Sequence, residues 1–187
     1  MTIVFLPLAE AHFPLLLKWL EMPHVKEWWD KDGKWTEELI REKYGSYVNG
    51  FKRLELADKV IKKPIHAYII TSDNDPIGYI QYYDAYDFSR EQGYILKELP
   101  SSLASIDLFI GEKEYIGKGY GPKIMDKFIQ DYIFKVFDAV FVDPDLRNKG
   151  AIKAYEKSGF NIARELPDKG IVWMVKEKNN IRKGVIE

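Results

Sequence analysis

The stretch 103–142 constrains the fold most tightly. Leu103-Ala104-Ser105-Ile106-Asp107-Leu108-Phe109-Ile110-Gly111 is a strand-length apolar run in which Asp107 is the one charge. A short connector, Glu112-Lys113-Glu114-Tyr115, leads into Ile116-Gly117-Lys118-Gly119-Tyr120-Gly121 and then Pro122. Proline is favoured in the first helical turn, where its missing N–H costs nothing. Met125, Phe128, Ile129, Tyr132, Ile133 and Val136 then recur on one face, so a helix is expected over 122–136. Ala139-Val140-Phe141-Val142 is a second apolar strand. Strand, helix and strand in this order imply a parallel pair, because a parallel connection needs a crossover.

The rest of the chain adds antiparallel partners. A strand is expected over 3–6, followed by a helix with Phe13, Leu16, Leu17 and Leu20 on its apolar face and Pro23 as its end. Thr36 followed by Glu37 and Glu38 reads as a helix start, with the helix running to about Asn49. The stretch 51–63 is charged and without a clear period, and is expected to be irregular. Strands over 65–71 and 77–83 flank Ser72-Asp73-Asn74-Asp75-Pro76, a strong turn signal, and so form a hairpin. The stretch 84–102 shows no period but carries rings and acids, which argues for a functional loop. Asn148 is placed to cap a last helix with Ala151, Ile152 and Tyr155 on one face and Gly159 as its stop. A final hairpin, 160–164 with 171–176, turns at Pro167-Asp168-Lys169-Gly170. The result is an α/β (α+β) chain built on a mixed sheet with helices on its faces. With no repeat or linker, one domain is expected over 1–178, and 179–187 is a polar tail.

Charge and composition narrow the functional classes. The 187 residues carry 28 Lys and Arg against 29 Asp and Glu, a net charge of −1, so no global basic field exists for nucleic acid. Cysteine is absent, which removes disulfides, thiolate metal sites and a thiol nucleophile, and fits a reducing compartment. His12, His24 and His66 lack any metal-ligand spacing, so no metal is expected. No apolar run is long enough to span a bilayer and the first residues lack a basic n-region, so a cytoplasmic protein is expected. Whether it is a monomer or a homodimer stays open.

Four features can carry chemistry, and each also has a plain structural reading. The alternating Gly117, Gly119 and Gly121 fit neither the dinucleotide fingerprint nor a Walker A loop. They make a simple turn, or a cradle that aims helix-start N–H groups at an anion such as phosphate. Asp107 is a solvated edge-strand residue, or a carboxylate held beside the bound group as a general base. Tyr155 is a packed ring or a phenol facing the site. Trp28 and Trp29 point in different directions on any regular element, so one can be core while the other lines a cleft. Asp143 follows a strand end, a common site location in α/β sheets, yet Asp143-Pro144 is also ordinary turn chemistry.

Taken together, Gly117-Lys118-Gly119-Tyr120-Gly121 and the later Asn148, Ala151-Ile152, Tyr155-Glu156-Lys157 and Gly159-Phe160 resemble the GNAT superfamily of acyl-CoA-dependent N-acetyltransferases. Pro23 to Trp29, Ile77-Gly78-Tyr79 with Gln81 and Tyr83, Asp107 with Phe109-Ile110-Gly111-Glu112, Asp143-Pro144 and Leu166-Pro167-Asp168 narrow the resemblance to aminoglycoside 6'-N-acetyltransferases. The resemblance implies a GNAT-like fold with a central mixed sheet of six to seven strands. It implies acetyl-CoA as cofactor and a primary amine, of polycationic character, as partner in a ternary complex. Gly117, Lys118, Gly119, Tyr120 and Gly121 would hold the pyrophosphate, and Asn148 with Ala151 the pantetheine arm. A backbone N–H at Phe109 or Ile110 would polarise the thioester carbonyl. Asp107 would take or hold the ammonium proton and Tyr155 would protonate the leaving thiolate. Trp28, Trp29, Gln81, Tyr83, Asp84, Asp143 and Asp168 would line the acceptor site, with the stretch 84–100 deciding which amine enters. Other readings are an acetyltransferase for a siderophore precursor, polyamine or peptide amine, or a binding module without turnover.

Overall fold

The computed structural model describes residues 1–29, 31, 33–56, 59–88, 96 and 98–178. The expected polar tail 179–187 and most of the 89–97 stretch lie outside the described residues. In chain order the strands are β1 (Ile3–Pro7), β2 (Phe51–Leu56), β3 (Lys59–Pro64), β4 (His66–Ser72) and β5 (Asp75–Asp84). They continue with β6 (Leu103–Ile110), β7 (Ala139–Val142), β8 (Asn161–Leu166) and β9 (Ile171–Glu177). The helices are α1 (Phe13–Leu20), α2 (Pro23–Lys26), α3 (Glu37–Val48), α4 (Tyr120–Phe128) and α5 (Lys149–Lys157). Seven strands form one mixed sheet in the order β1-β4-β5-β6-β7-β9-β8, and β2 pairs with β3 apart from it. Among the described residues only β6 and β7 pair in parallel, as the crossover through α4 requires.

Local chemistry explains most of the boundaries. Thr36 caps α3 by accepting from the Leu39 N–H at 3.3 Å, and Asn148 caps α5 by accepting from the Ala151 N–H at 3.0 Å. The β4–β5 turn places Asp73 and Asn74 in the left-handed region, which short polar side chains tolerate. One expectation is extended and two are corrected. Pro23 opens α2 at its first position as well as following α1. The helix expected over 122–136 begins at Tyr120, capped by left-handed Gly119, and passes into a π-helical turn over Ile129–Ile133, leaving Val136 exposed beyond it. The irregular stretch expected over 51–63 is the β2–β3 hairpin. Its alternation was hidden because lysine stems serve as apolar surface: the Lys62 ammonium lies 4.4 Å from the Phe51 ring centre, and Lys63 pairs with Asp87 at 2.5 Å.

The sheet buries both faces. One face, with Ile70, Ile80, Ile106 and Val140, packs under Ile124, Met125 and Phe128 of α4. On the other, Ile69, Tyr79 and Phe109 pack against Leu16, Trp19 and Leu20 of α1 and Ile40 and Tyr44 of α3. A separate cluster on that second face joins Leu103, Phe141, Leu166 and Trp173. Between these two clusters strand alternation leaves a polar stripe of Gln81, Tyr83, Ser105 and Asp107. Among the described residues no helix is long and apolar enough to cross a membrane.

Candidate active site

The site begins where a ladder stops. The parallel pairing of β6 with β7 covers Leu103 with Ala139, Ala104 with Val140 and Ser105 with Phe141. β6 continues to Ile110, held on its other side by β5 as far as Gly78. β7 ends at Val142, and the chain turns at Asp143-Pro144. Past Ser105 the two strands therefore part, and β6 presents an unpaired backbone edge to a cleft of about 550 Å³. Such an edge offers N–H and C=O groups at fixed spacing to an extended ligand. The cleft brings together Trp28, Trp29, Asp107, Phe109, Ile110 and Asp143 with Asn148, Ala151 and Tyr155.

Asp107 is held from one side. Its Oδ2 accepts from Gln81 Nε2 at 2.8 Å, and Gln81 Oε1 accepts from the Tyr79 hydroxyl at 2.7 Å. Gln81 and Tyr79 are buried, and the acceptor-only carboxylate fixes the amide N–H₂ toward the acid, leaving the amide oxygen for the hydroxyl. Burial pushes the Tyr79 phenol well above its usual range, with Tyr44, Tyr47 and Asp107 adding to the shift, so it stays a donor. Facing the same cleft, Tyr155 has a phenol that burial drives well above its ordinary value, the charges of Asp107 and Asp143 adding to the effect. At neutral pH it is a proton donor. The arrangement sets a carboxylate acceptor and a phenol donor around one cavity, which suits transfer of a group between a protonated nucleophile and an anionic leaving group.

The glycine-rich turn lies beside this cleft, joined to it through Ile116. Gly117 and Gly119 have φ of 75° and 80°, and a Cβ at either would project into open space. No side chain caps the N-terminus of α4, so its first N–H groups are left for an outside acceptor. That combination fits a phosphate-bearing ligand. Asn148 uses its Oδ1 on the Ala151 N–H, which leaves its amide N–H₂ for the cleft that it lines.

Other expected residues fall elsewhere. Gln81 reaches the cleft only through Asp107. Tyr83 shares the face of Asp107 but its ring packs edge-on to Phe88 at 4.8 Å. Asp84 falls on the opposite face of β5 and accepts the Tyr86 N–H at 2.9 Å, a local turn contact. Asp168 sits in the short 3-10 turn between β8 and β9, outside the lining residues. Trp29 lines the cleft and also packs edge-on to Phe109 at 5.1 Å, whereas Trp28 is exposed. Sequence reasoning missed three contributors. His24, read there only as lacking a metal-ligand spacing, donates its Nε2–H to the Ile110 carbonyl at 3.2 Å and lines the cleft. Glu112 accepts from Trp19 Nε1 at 2.8 Å and from Lys18 at 2.5 Å, anchoring the end of β6 to α1. Arg147 forks onto Asp145 at 2.6 and 2.9 Å, holding that carboxyl down at about 2, and stands 6.0 Å from the Trp28 ring centre. His24 and Glu112 stand within segments that carry the family resemblance, Pro23 to Trp29 and Phe109 to Glu112, but the resemblance assigned them no role. Among the described residues no group of His, Asp and Glu converges to hold a metal.

Comparison with known proteins agrees with this geometry. The family described as acetyltransferase (GNAT) domain matches residues 9–167. Aminoglycoside N(6')-acetyltransferase type 1 of Klebsiella pneumoniae is 26% identical over 176 residues, covering 91% of this chain and 81% of that protein, and the Serratia marcescens protein of the same name matches equally. The crystal structure of aminoglycoside acetyltransferase AAC(6')-Ib with coenzyme A superposes with a TM-score of 0.75 at 25% identity, covering 95% of each chain. AAC(6')-Ib in complex with parmomycin and acetyl-CoA gives a TM-score of 0.78 at 24% identity, covering 99% of this chain and 100% of that one.

Proposed function

The chain belongs to the GNAT acetyltransferase family, and from that premise we propose that it transfers the acetyl group of acetyl-CoA to a primary amine, with the 6'-amine of an aminoglycoside as leading acceptor. The observation that carries the reading is the pairing of Asp107 and Tyr155 across the gap that opens between β6 and β7. The acceptor class rests on the names of the relatives and on the acids, Asp107 and Asp143, that face the cleft.

The chain's residues divide the work as follows. The N–H groups around Gly117, Lys118, Gly119, Tyr120 and Gly121 bind the pyrophosphate, a role suited to an uncapped helix start behind left-handed glycines. The free edge of β6 at Phe109 and Ile110 orients the extended arm and offers an N–H to the thioester oxygen. Asn148 and Ala151 border that arm from α5. When bound, acetyl-CoA supplies an activated acyl group and a thiolate leaving group. Asp107, aligned by Gln81 and Tyr79, takes a proton from the incoming ammonium. The amine nitrogen would bond the acetyl carbon as the carbon–sulfur bond breaks; Tyr155 would give its proton to sulfur and recover one from the acylated nitrogen, leaving the N-acetyl amine, the free thiol and one proton on Asp107. Trp28, Trp29 and Asp143 shape the acceptor end. All these parts lie within 1–178, which we take as one functional unit.

Thiol release from acetyl-CoA, measured with kanamycin-type aminoglycosides and with simple polyamines, tests the reading. Release with an aminoglycoside, lost in Asp107→Ala by about a hundredfold or more in kcat, is the expected result. Release only with other amines removes the aminoglycoside, and tight acetyl-CoA binding with no release from any amine leaves a binding module.

A further inference from the structure

β6 loses one of its two neighbours partway along. Up to Ser105 it lies between β5 and β7, and from Ile106 to Ile110 its ladder is with β5 alone. The register decides which backbone groups face the opened side. The Gly111 N–H donates to the Ile77 carbonyl of β5 at 2.8 Å. Strand alternation then turns the backbone groups of Phe109 and Asp107 toward β5 as well, and those of Ile106, Leu108 and Ile110 toward the gap. Of the N–H groups of Phe109 and Ile110, the one that can reach a thioester oxygen in the gap is therefore that of Ile110.

A strand with a neighbour on one side only is the part of a sheet most free to twist and to open. The α1–α2 segment stands in for the missing neighbour through His24, Trp19 and Lys18. Trp19 Nε1–H and the Lys18 ammonium both donate to the Glu112 carboxylate, just past the end of β6. His24 Nε2–H donates to the Ile110 carbonyl at 3.2 Å, and of the three it alone bonds to the backbone of the open edge. It also lines the cleft. The peptide group that joins Ile110 to Gly111 is thus held at both ends, its carbonyl by His24 and its N–H by Ile77. That plane lies next to the Ile110 N–H, so holding it removes the torsional freedom that would let the N–H swing. A carbonyl oxygen has two lone pairs, so the Ile110 carbonyl can still accept from a ligand. Because a carbonyl only accepts, the ring must carry a proton on Nε2, as both the imidazolium and one neutral tautomer do.

We propose that His24 is a positioning residue for the donor: through the Ile110 carbonyl it holds the open edge of β6 in the extended form along which the pantetheine arm of acetyl-CoA lies. The inference rests on the acyl-transfer reading for its ligand. His24 takes no part in the bond changes. It keeps the Ile110 N–H aimed at the thioester oxygen while they occur.

The test compares two ligands on the full chain by calorimetry. One is coenzyme A. The other is 3'-phosphoadenosine 5'-diphosphate, which keeps the nucleotide and pyrophosphate but lacks the arm. His24→Leu retains bulk and cannot donate, whereas His24→Gln offers an N–H₂ near the Nε2 position. In His24→Leu the dissociation constant of coenzyme A should rise by about three- to tenfold, the worth of one hydrogen bond, and that of the arm-less nucleotide should not move. The kcat for acetyl transfer should fall in the same variant while the KM for the amine holds, and His24→Gln should recover most of both losses. Equal weakening of both ligands, or a denaturation midpoint that falls in step with the affinity, would assign His24 to the fold and overturn the proposal. Unchanged coenzyme A binding and unchanged kcat in His24→Leu overturn it too, and leave acetyl transfer standing. A wild-type chain that binds the two ligands with equal affinity gains nothing from the arm, which overturns the proposal together with the transfer reading beneath it.

Discussion

At the scale of single residues, the hydrogen-bonded row Tyr79, Gln81 and Asp107 makes a stronger claim than any motif. Gln81 was expected to touch the acceptor, yet its amide is committed at both ends, to the Tyr79 hydroxyl and to the acid. Its part is to position Asp107. Gln81→Ala should lower kcat by about tenfold, the worth of one hydrogen bond to a charged group, with the KM for acetyl-CoA and the denaturation midpoint little changed. Tyr79→Phe leaves the amide in place but free to turn, and should give a smaller loss in the same direction. A fall in the midpoint that matches the fall in rate would mean a packing role instead. Tyr155→Phe tests the donor. Its phenol stays protonated because burial and two carboxylates oppose ionisation, so removing it should slow acetyl transfer by about a hundredfold while acetyl-CoA still binds. Collapse of the fold would assign Tyr155 to packing against Phe160, 5.5 Å away. Asp145 predicts a pH effect. Its carboxyl is depressed to about 2 by the Arg147 guanidinium and N–H, against about 3.9 in an unfolded chain. The pair's stabilisation is therefore present above about pH 4 and is lost as pH falls toward 2. The effect is small because Arg147 is largely exposed. Arg147→Ala should flatten that part of the acid limb in denaturation midpoints followed against pH.

At the scale of elements, the glycines around β6 divide into two kinds that mutation can separate. Gly78 and Gly111 are set by crowding: a Cβ on Gly78 would stand 2.3 Å from the Phe109 oxygen, and one on Gly111 2.2 Å from the Trp19 ring. Gly117 and Gly119 are set by their left-handed backbone alone, with open space around them. Gly111→Ala should therefore destabilise by about 1–3 kcal/mol through overpacking, read in denaturant midpoints. Gly119→Ala should cost about 1 kcal/mol in stability and raise the KM for acetyl-CoA, because strain turns the cradle's N–H groups away. The same contrast explains what the sequence could reveal. The strand carrying Asp107, the β7 strand and both capped helices were legible because apolar period, Pro122, Thr36 and Asn148 all act locally. The β2–β3 hairpin was not, since Lys52 and Lys62 lie over the rings of Phe88 and Phe51, and a hydropathy pattern reads such residues as uniform charge. His24 was missed for a related reason. Its partner is a backbone carbonyl 86 residues away, and no spacing in the chain records such a contact. Asp84 failed to reach the cleft because it stands at odd spacing from Gln81 and Tyr83, so the pleat sends it to the other face.

At the scale of the whole molecule, the seven-stranded sheet is two parts with a short seam. β1, β4, β5 and β6 form one antiparallel part, β7, β9 and β8 the other, and three residue pairs of the parallel ladder join them. The helices cross the seam on one face, but past Ser105 the strands on either side are left open. A ligand that lies along β6 and touches Asn148 and Ala151 continues the seam, so its binding energy adds to the cohesion of the sheet as a whole. Acetyl-CoA at a hundred times its dissociation constant should raise the unfolding free energy by about 2.7 kcal/mol, seen as a concentration-dependent rise in Tm. That rise alone would follow from any site, including one confined to the glycine cradle. Amide exchange discriminates between them. Insertion along the seam should slow exchange at residues 106–110 of β6 and in β7, in addition to the start of α4. Protection limited to 117–123 would mean that the phosphates bind without the arm entering the gap, and would take Asp107 and Tyr155 out of reach of the acetyl group.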